Sequence, residues 1–161
     1  MDKVKVKVLF VCMGNICRSP TAHGVFQALV DEQGLGESIL VESAGTHSYH
    51  VGSPPDPRSQ ATAKARGLDL SGLRARRFVS PDFVEFDYLL GMDQGNIADM
   101  HAIRPDDASA RLQLMLEYSD RFQQREVPDP YFSNEGFELV FDMVEDASSG
   151  LLRHIRAQHG V

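Results

Sequence analysis

The chain has 161 residues, 42% hydrophobic and 24% charged, with 16 Lys plus Arg against 23 Asp plus Glu for a net charge of −7. This is ordinary globular composition. It excludes a disordered or fibrous polypeptide, and the acidic balance argues against nucleic acid as a partner. A chain of this size buries enough surface for one core, so residues 1–161 are expected to form a single domain. The start, Met1 to Val8, holds no long apolar run, and no stretch approaches the roughly 18 apolar residues of a membrane span. With Cys12 and Cys17 as the only cysteines, a disulfide scaffold is also excluded, and a reducing cytoplasm is expected.

Val4, Val6 and Val8 alternate with lysines and then Leu9-Phe10-Val11 run on without a break, which predicts a strand entering a sheet buried on both faces. Gly14 ends that run. Ser19-Pro20 reads as an N-cap with proline at the first helical position, and Ala22, Val25, Phe26 and Leu29 continue at helical spacing until Gly34. Ile39-Leu40-Val41 is the second strand, and Asp56-Pro57 opens a helix ending near Gly67. Asp87 to Leu90 is the third strand, followed by a helix capped by Asp93 and running to about Ile103. Leu112 to Leu116 fits a fourth strand or a buried helical turn, and periodicity does not separate the two. Phe137, Val140, Phe141, Val144, Leu151 and Ile155 mark a long amphipathic terminal helix. Strands alternating with helices predict an α/β fold with a parallel sheet and right-handed crossovers.

Ligands of such sheets bind beyond the carboxyl ends of the strands. Here the first strand ends in Val11-Cys12-Met13-Gly14-Asn15-Ile16-Cys17-Arg18-Ser19-Pro20. A short turn feeding a helix N-terminus can aim successive backbone N–H groups inward as an anion nest. Arg18 at the helix mouth can grip two phosphate oxygens. Cys12 would lie at the floor of the nest, where N–H dipoles and a guanidinium favour the thiolate, and Ser19 can give its hydroxyl hydrogen to the same sulfur. A thiolate beneath a bound phosphoryl group is set for in-line attack and a phosphocysteine intermediate. A nucleotide-binding glycine loop requires Gly-Lys-Ser/Thr, which this loop lacks.

Val11 to Pro20 resembles the signature loop of the low-molecular-weight protein tyrosine phosphatases. The likeness extends over Ser43-Ala44-Gly45-Thr46, Gly52 to Arg58, Met92-Asp93 and Asp129-Pro130-Tyr131. That resemblance implies a flavodoxin-like three-layer fold, with a four-stranded parallel sheet flanked by helices, and a phosphomonoesterase needing no metal or other cofactor. It implies Cys12 as nucleophile and Arg18 as phosphate ligand, with the loop residues Met13, Gly14, Asn15, Ile16, Cys17 and Ser19 around the phosphate. It also assigns Asn15, Ser19 and Ser43 to holding the loop in shape, and Cys12 and Cys17 to a reversible protective disulfide.

Attack by sulfur expels a phenoxide or alkoxide, so the mechanism needs a carboxylic acid above the loop. Asp129 lies between Pro128 and Pro130, where alone it would read as a turn residue; the family's Asp-Pro-Tyr motif makes it the general acid and base. Tyr131, Phe132 and Tyr49 can wall a deep slot suited to an aryl phosphate. Ile16 resembles the tyrosine-directed members, where phosphoarginine-directed relatives tend to carry threonine. Phosphotyrosine proteins or small aryl phosphates are the expected partners, with no nucleic acid or membrane, and the chain is expected as a monomer or weak homodimer.

Two positions depart from the family pattern. His23 replaces a common glutamate and is expected at the surface. Leu73 replaces a histidine that braces the loop asparagine, which puts an Asn15–Ser43 network in question. Lys64, Arg66, Arg74, Arg76 and Arg77 form a basic cluster that reads as a solvated face or as a steering patch for phosphopeptides. The six histidines have no metal-ligand spacing, and two cysteines supply only half of a zinc site. Among rival functions, a thioredoxin-coupled arsenate reductase needs a third cysteine, and a phosphate-binding module without turnover would not need nucleophile, arginine and acid together.

Overall fold

In the computed structural model, which describes residues 4–161, four parallel strands lie in the order β2-β1-β3-β4. What the sequence suggests about Met1, Asp2 and Lys3 lies outside the described residues. Strand β1 is Val6–Cys12, β2 Ile39–Gly45, β3 Tyr88–Gly91 and β4 Arg111–Leu114. β1 pairs along its whole length with β2, from Val6 opposite Ile39 to Cys12 opposite Gly45, and on its other edge with β3, from Val8 opposite Tyr88 to Val11 opposite Gly91.

Alternation along β1 explains its unbroken apolar run. Val6, Val8, Phe10 and Cys12 face one core, filled by α1 (Arg18–Glu32) and α5 (Phe137–His159). Leu9 and Val11 face the opposite core, against Phe83 of α3 (Asp82–Glu85) and Met100 of α4 (Gln94–His101). A strand buried on both faces has no polar side to display. Phe10 and Phe26 are both fully buried and meet edge-on at 5.6 Å, and side chains of this kind contribute about 2–3 kcal/mol each on burial. Cys12 closes the 6-8-10-12 series, so its sulfur emerges on the α1 side at the carboxyl end of the central strand.

The element boundaries qualify some expectations. Helix α1 begins two residues earlier than Ser19 implies: its N-cap is Cys17, with no capping side chain, and Ser19 lies inside the helix. Its hydroxyl is engaged by the cysteine sulfur instead. Helix α2 (Pro57–Ala65) starts as expected, with the Asp56 carboxylate accepting from the Arg58 amide at 2.8 Å and proline at the first position. The Leu112–Leu116 segment divides, ending β4 at Leu114 and turning at once into a 3-10 helix, Met115–Tyr118. Among the described residues no helix is long and apolar enough to cross a membrane.

Candidate active site

The Cys12–Ser19 loop is shaped from outside. The carbonyls of Cys12, Met13 and Ile16 accept from the amides of Thr46, His47 and Asp56 at 2.9, 3.0 and 2.8 Å. In a trans peptide the next N–H points the opposite way, so the amides of Met13, Gly14 and Cys17 face into the loop's hollow. Asn15 turns the chain with φ +56°, a left-handed conformation that asparagine tolerates better than most residues. Close approach of β2 also matters: a Cβ on Gly45 would lie 2.8 Å from the Met13 carbonyl oxygen.

The sulfur of Cys12 meets the Ser19 hydroxyl at 3.0 Å and accepts from the Ser19 amide at 3.4 Å. Asn15 Nδ2 donates to Ser19 Oγ at 2.7 Å. The serine oxygen is thereby an acceptor towards Asn15, and its own hydrogen has two acceptors in reach, the sulfur at 3.0 Å and the Ala44 carbonyl at 3.4 Å. Asn15 Oδ1 in turn accepts from the Arg76 amide at 3.0 Å. This chain of bonds fixes the curl of the loop and holds Ser19 against the Cys12 sulfur.

Arg18 is 2% exposed. Its Nη1 donates to Asp93 Oδ2 at 2.6 Å and to the Val127 carbonyl at 2.9 Å, while Nη2 stands 3.6 Å from Asp129 Oδ2. Burial works against its charge, yet the Cys12 sulfur, Asp93 and Asp129 outweigh that and push its ionisation above the ordinary arginine range. Asp93 does two jobs with two oxygens, because Oδ1 accepts the Asn96 amide at 2.8 Å and caps α4. The cap is legible in sequence; the ion pair is not, although Met92-Asp93 directly follows the strand beside β1.

The loop carrying Asp129 is stitched to the same place. Val127, fully buried, donates from its amide to the Met92 carbonyl at 2.8 Å and accepts from Arg18. Asp129 Oδ1 accepts the Tyr131 amide at 3.1 Å, and Oδ2 faces Arg18. The carboxylate is thus held on one oxygen, with the other turned to the site.

A cavity of about 180 Å³ brings together Cys12, Arg18 and Asp129 with Met13, Gly14, Ile16 and Cys17 of the loop and the aromatic rings of Tyr49, Tyr131 and Phe132. Asn15, Ser19 and Ser43 stand behind this wall. His50 also lines the cavity, a residue that sequence reasoning passed over although it adjoins Tyr49. Its ring lies 5.9 Å from that of Tyr131, and a Cβ on Gly14 would come within 3.1 Å of its Cδ2. Phe132 and Tyr49 are about four-fifths exposed, at 81% and 80%, so they form the rim and Tyr131 the deeper wall.

Several expectations are corrected. His23 is partly buried on α1, with Nδ1 3.0 Å from Ser43 Oγ, and burial pulls its ionisation down to about 4. Ser43 therefore bonds His23 rather than Asn15, which Ser19 and the Arg76 backbone already hold. Leu73 packs against the main core. The basic cluster keeps the exposed face expected of it, and within it Arg66 pairs with Glu138 and Asp142, Arg76 with Asp82 and Glu42, and Arg74 donates to two carbonyls. Both cysteines are free and buried, and burial with the nearby Asp56 carboxylate pushes the Cys17 thiol up to about 12. Among the described residues no cluster of three or more His, Cys, Asp or Glu could hold a metal.

Residues 7–160 match the family model for low molecular weight phosphotyrosine protein phosphatase. A Synechocystis sp. relative whose name carries the same family term is 46% identical over 149 residues, covering 91% of this chain and 94% of its own. The human low molecular weight phosphotyrosine protein phosphatase is 42% identical over 143 residues, covering 87% of this chain and 89% of its own. Among solved structures, a protein tyrosine phosphatase of Entamoeba histolytica superposes with a TM-score of 0.89 at 37% identity, over 97% of this chain and 99% of that one.

Proposed function

The chain belongs to the low molecular weight phosphotyrosine protein phosphatase family, and from that premise we propose that it hydrolyses phosphotyrosine monoesters through a phosphocysteine intermediate. Cys12 is the nucleophile, Arg18 binds the phosphoryl oxygens, and Asp129 is the general acid and then the general base. The observation that carries this reading is the sulfur itself. Cys12 lines the cavity with its sulfur in contact with the hydroxyl and amide of Ser19, and the buried Arg18 and the Asp129 carboxyl group line the same cavity.

In the first step the Cys12 sulfur bonds to phosphorus as the ester P–O bond breaks, and the Asp129 proton passes to the departing phenolic oxygen. Inward amides of the loop and Arg18 take the charge on the equatorial oxygens. In the second step the Asp129 carboxylate removes a proton from water, the new oxygen bonds to phosphorus, and the P–S bond breaks. The aromatic wall of the cavity supports an aryl phosphate, whose ring stacks where a shorter alkyl phosphate would leave the wall empty. Apolar Ile16 at the cavity supports phosphotyrosine over phosphoarginine. A cytoplasmic enzyme acting as monomer or weak homodimer on phosphotyrosine proteins or small aryl phosphates fits this reading.

Hydrolysis of p-nitrophenyl phosphate in the presence of EDTA tests the assignment. Activity is expected to survive chelation and to vanish in Cys12→Ser; equal activity in that variant would refute it. The redox role of Cys17 belongs to the same reading. Peroxide would oxidise the Cys12 sulfur to a sulfenic acid, and Cys17 would then displace water to close a disulfide. Loss of two thiols per chain, restored by reductant, is expected; irreversible sulfinic acid on Cys12 alone would count against it.

A further inference from the structure

Three consecutive residues join the nucleophile's loop to the acid's loop. The Asp56 amide donates to the Ile16 carbonyl, inside the phosphate loop, at 2.8 Å. The buried Asp56 carboxylate then takes Nε and Nη2 of Arg58 at 3.0 and 2.9 Å. From the far side of the same guanidinium, Nη2 donates to the Tyr131 carbonyl at 3.0 Å, and Nη1 donates to the Ser133 carbonyl at 2.8 Å and to Asn134 Oδ1 at 3.2 Å. Pro57 between the two residues fixes the backbone at the first position of α2.

A guanidinium has five N–H groups, and these contacts use every one. Arg58 therefore has no donor left for a substrate oxygen, even though it lies near the rim of the cavity. Its plane is further confined by the Phe137 ring at 4.8 Å and the Tyr131 ring at 5.8 Å. Tyr131 is the link that matters. Its carbonyl is held by Arg58, and its amide is the group that binds Asp129 Oδ1 at 3.1 Å. The hold passes from the guanidinium through one residue's backbone to the carboxyl group.

We propose that Arg58 is a positioning residue for Asp129, acting with Asp56 as a strut that sets the height of the acid over the Cys12 loop. This role presupposes Asp129 as the general acid. Lysine cannot replace the fork, since a point charge can pair with Asp56 but cannot span two carbonyls and an amide at once.

The test compares kcat/KM for phenyl phosphate, whose leaving group needs a proton, with that for p-nitrophenyl phosphate, whose leaving group does not. Misplacing a catalytic group by an ångström costs up to about 100-fold. Arg58→Ala is expected to lower kcat/KM for phenyl phosphate about 10-fold or more and for p-nitrophenyl phosphate less than about 3-fold. Arg58→Lys should fall between, and it carries the same comparison if Arg58→Ala does not fold. In an Asp129→Asn background, adding the Arg58 change should cost less than about 2-fold on phenyl phosphate, because there is no proton left to misplace. Equal losses on both substrates, or the same loss with and without Asp129, would overturn the strut. If Asp129→Asn alone shows no dependence on the leaving group, the acid assignment fails first and the strut falls with it.

Discussion

Replacing His23 by glutamine should remove a pH-dependent part of the protein's stability. The His23 imidazole is packed between α1 and Ser43 of β2, and burial holds its ionisation at about 4, against 6.5 for a free histidine. Between those values the unfolded chain binds a proton that the folded chain does not, so folding stability rises with pH through this window and falls as the solution is acidified. A gap of that size corresponds to about 3 kcal/mol in full, at about 1.36 kcal/mol per pH unit. Most of the loss, about 2 kcal/mol, falls between pH 7 and pH 5, and it levels off below pH 4. Glutamine keeps a hydrogen-bonding group near Ser43 but cannot titrate. Urea unfolding of wild type and His23→Gln at pH 7, 6 and 5 gives the difference directly, since the other histidines contribute equally to both. The difference should move in favour of the variant by about 2 kcal/mol over that range. A difference that stays constant with pH would show that His23 titrates as though exposed, and the burial argument would be wrong.

Asp129→Asn should lower kcat/KM for phenyl phosphate by about 100-fold or more and spare p-nitrophenyl phosphate. Equal losses on both esters would remove Asp129 as the acid. Asp93→Asn leaves one acceptor oxygen to serve both the α4 amide and the buried Arg18, so stability in phosphate-free buffer should fall by about 3 kcal/mol, and an unchanged urea midpoint would refute the pairing. Gly150→Ala ought to gain about 1 kcal/mol by helix propensity alone. Instead, a Cβ there would lie 2.0 Å from the Tyr118 carbonyl oxygen, and the melting temperature is expected to drop by several degrees.

Much of this architecture is visible in the chain because local and global signals agree. The run through Leu9-Phe10-Val11 announces a strand with no solvent side, and the Cys12-to-Arg18 segment at its end is the loop that lines the cavity. Where the signals compete, sequence reasoning falters. Ser19 has the composition of an N-cap, but a sulfur seven residues earlier takes its hydroxyl. His23 follows the exposure habits of histidine until β2 supplies a lid and a partner from twenty residues away. Leu112 to Leu116 is half strand and half 3-10 turn, because pairing with β3 ends at Leu114, a limit set by the neighbour's length. Asp93 and Arg58 carry local cap signals that hide their longer-range bonds, to a residue 75 positions away and to backbone 73 positions away.

β1 lies between β2 and β3, and both partners deliver what the nucleophile's strand lacks. Ser43 and the Thr46 and His47 amides arrive on one side; Asp93 and, through Met92, the Val127 anchor arrive on the other. Catalytic competence is therefore a late event in the life of each molecule. A nascent chain that has emerged only as far as β2 holds Cys12 and Arg18 but has neither Asp93, the arginine's counter-ion, nor the proposed proton donor Asp129, and the site is complete only once the segment around residue 130 has docked. A fragment stopping before that segment should be inert towards esters with poor leaving groups even where its helices and first two strands have formed.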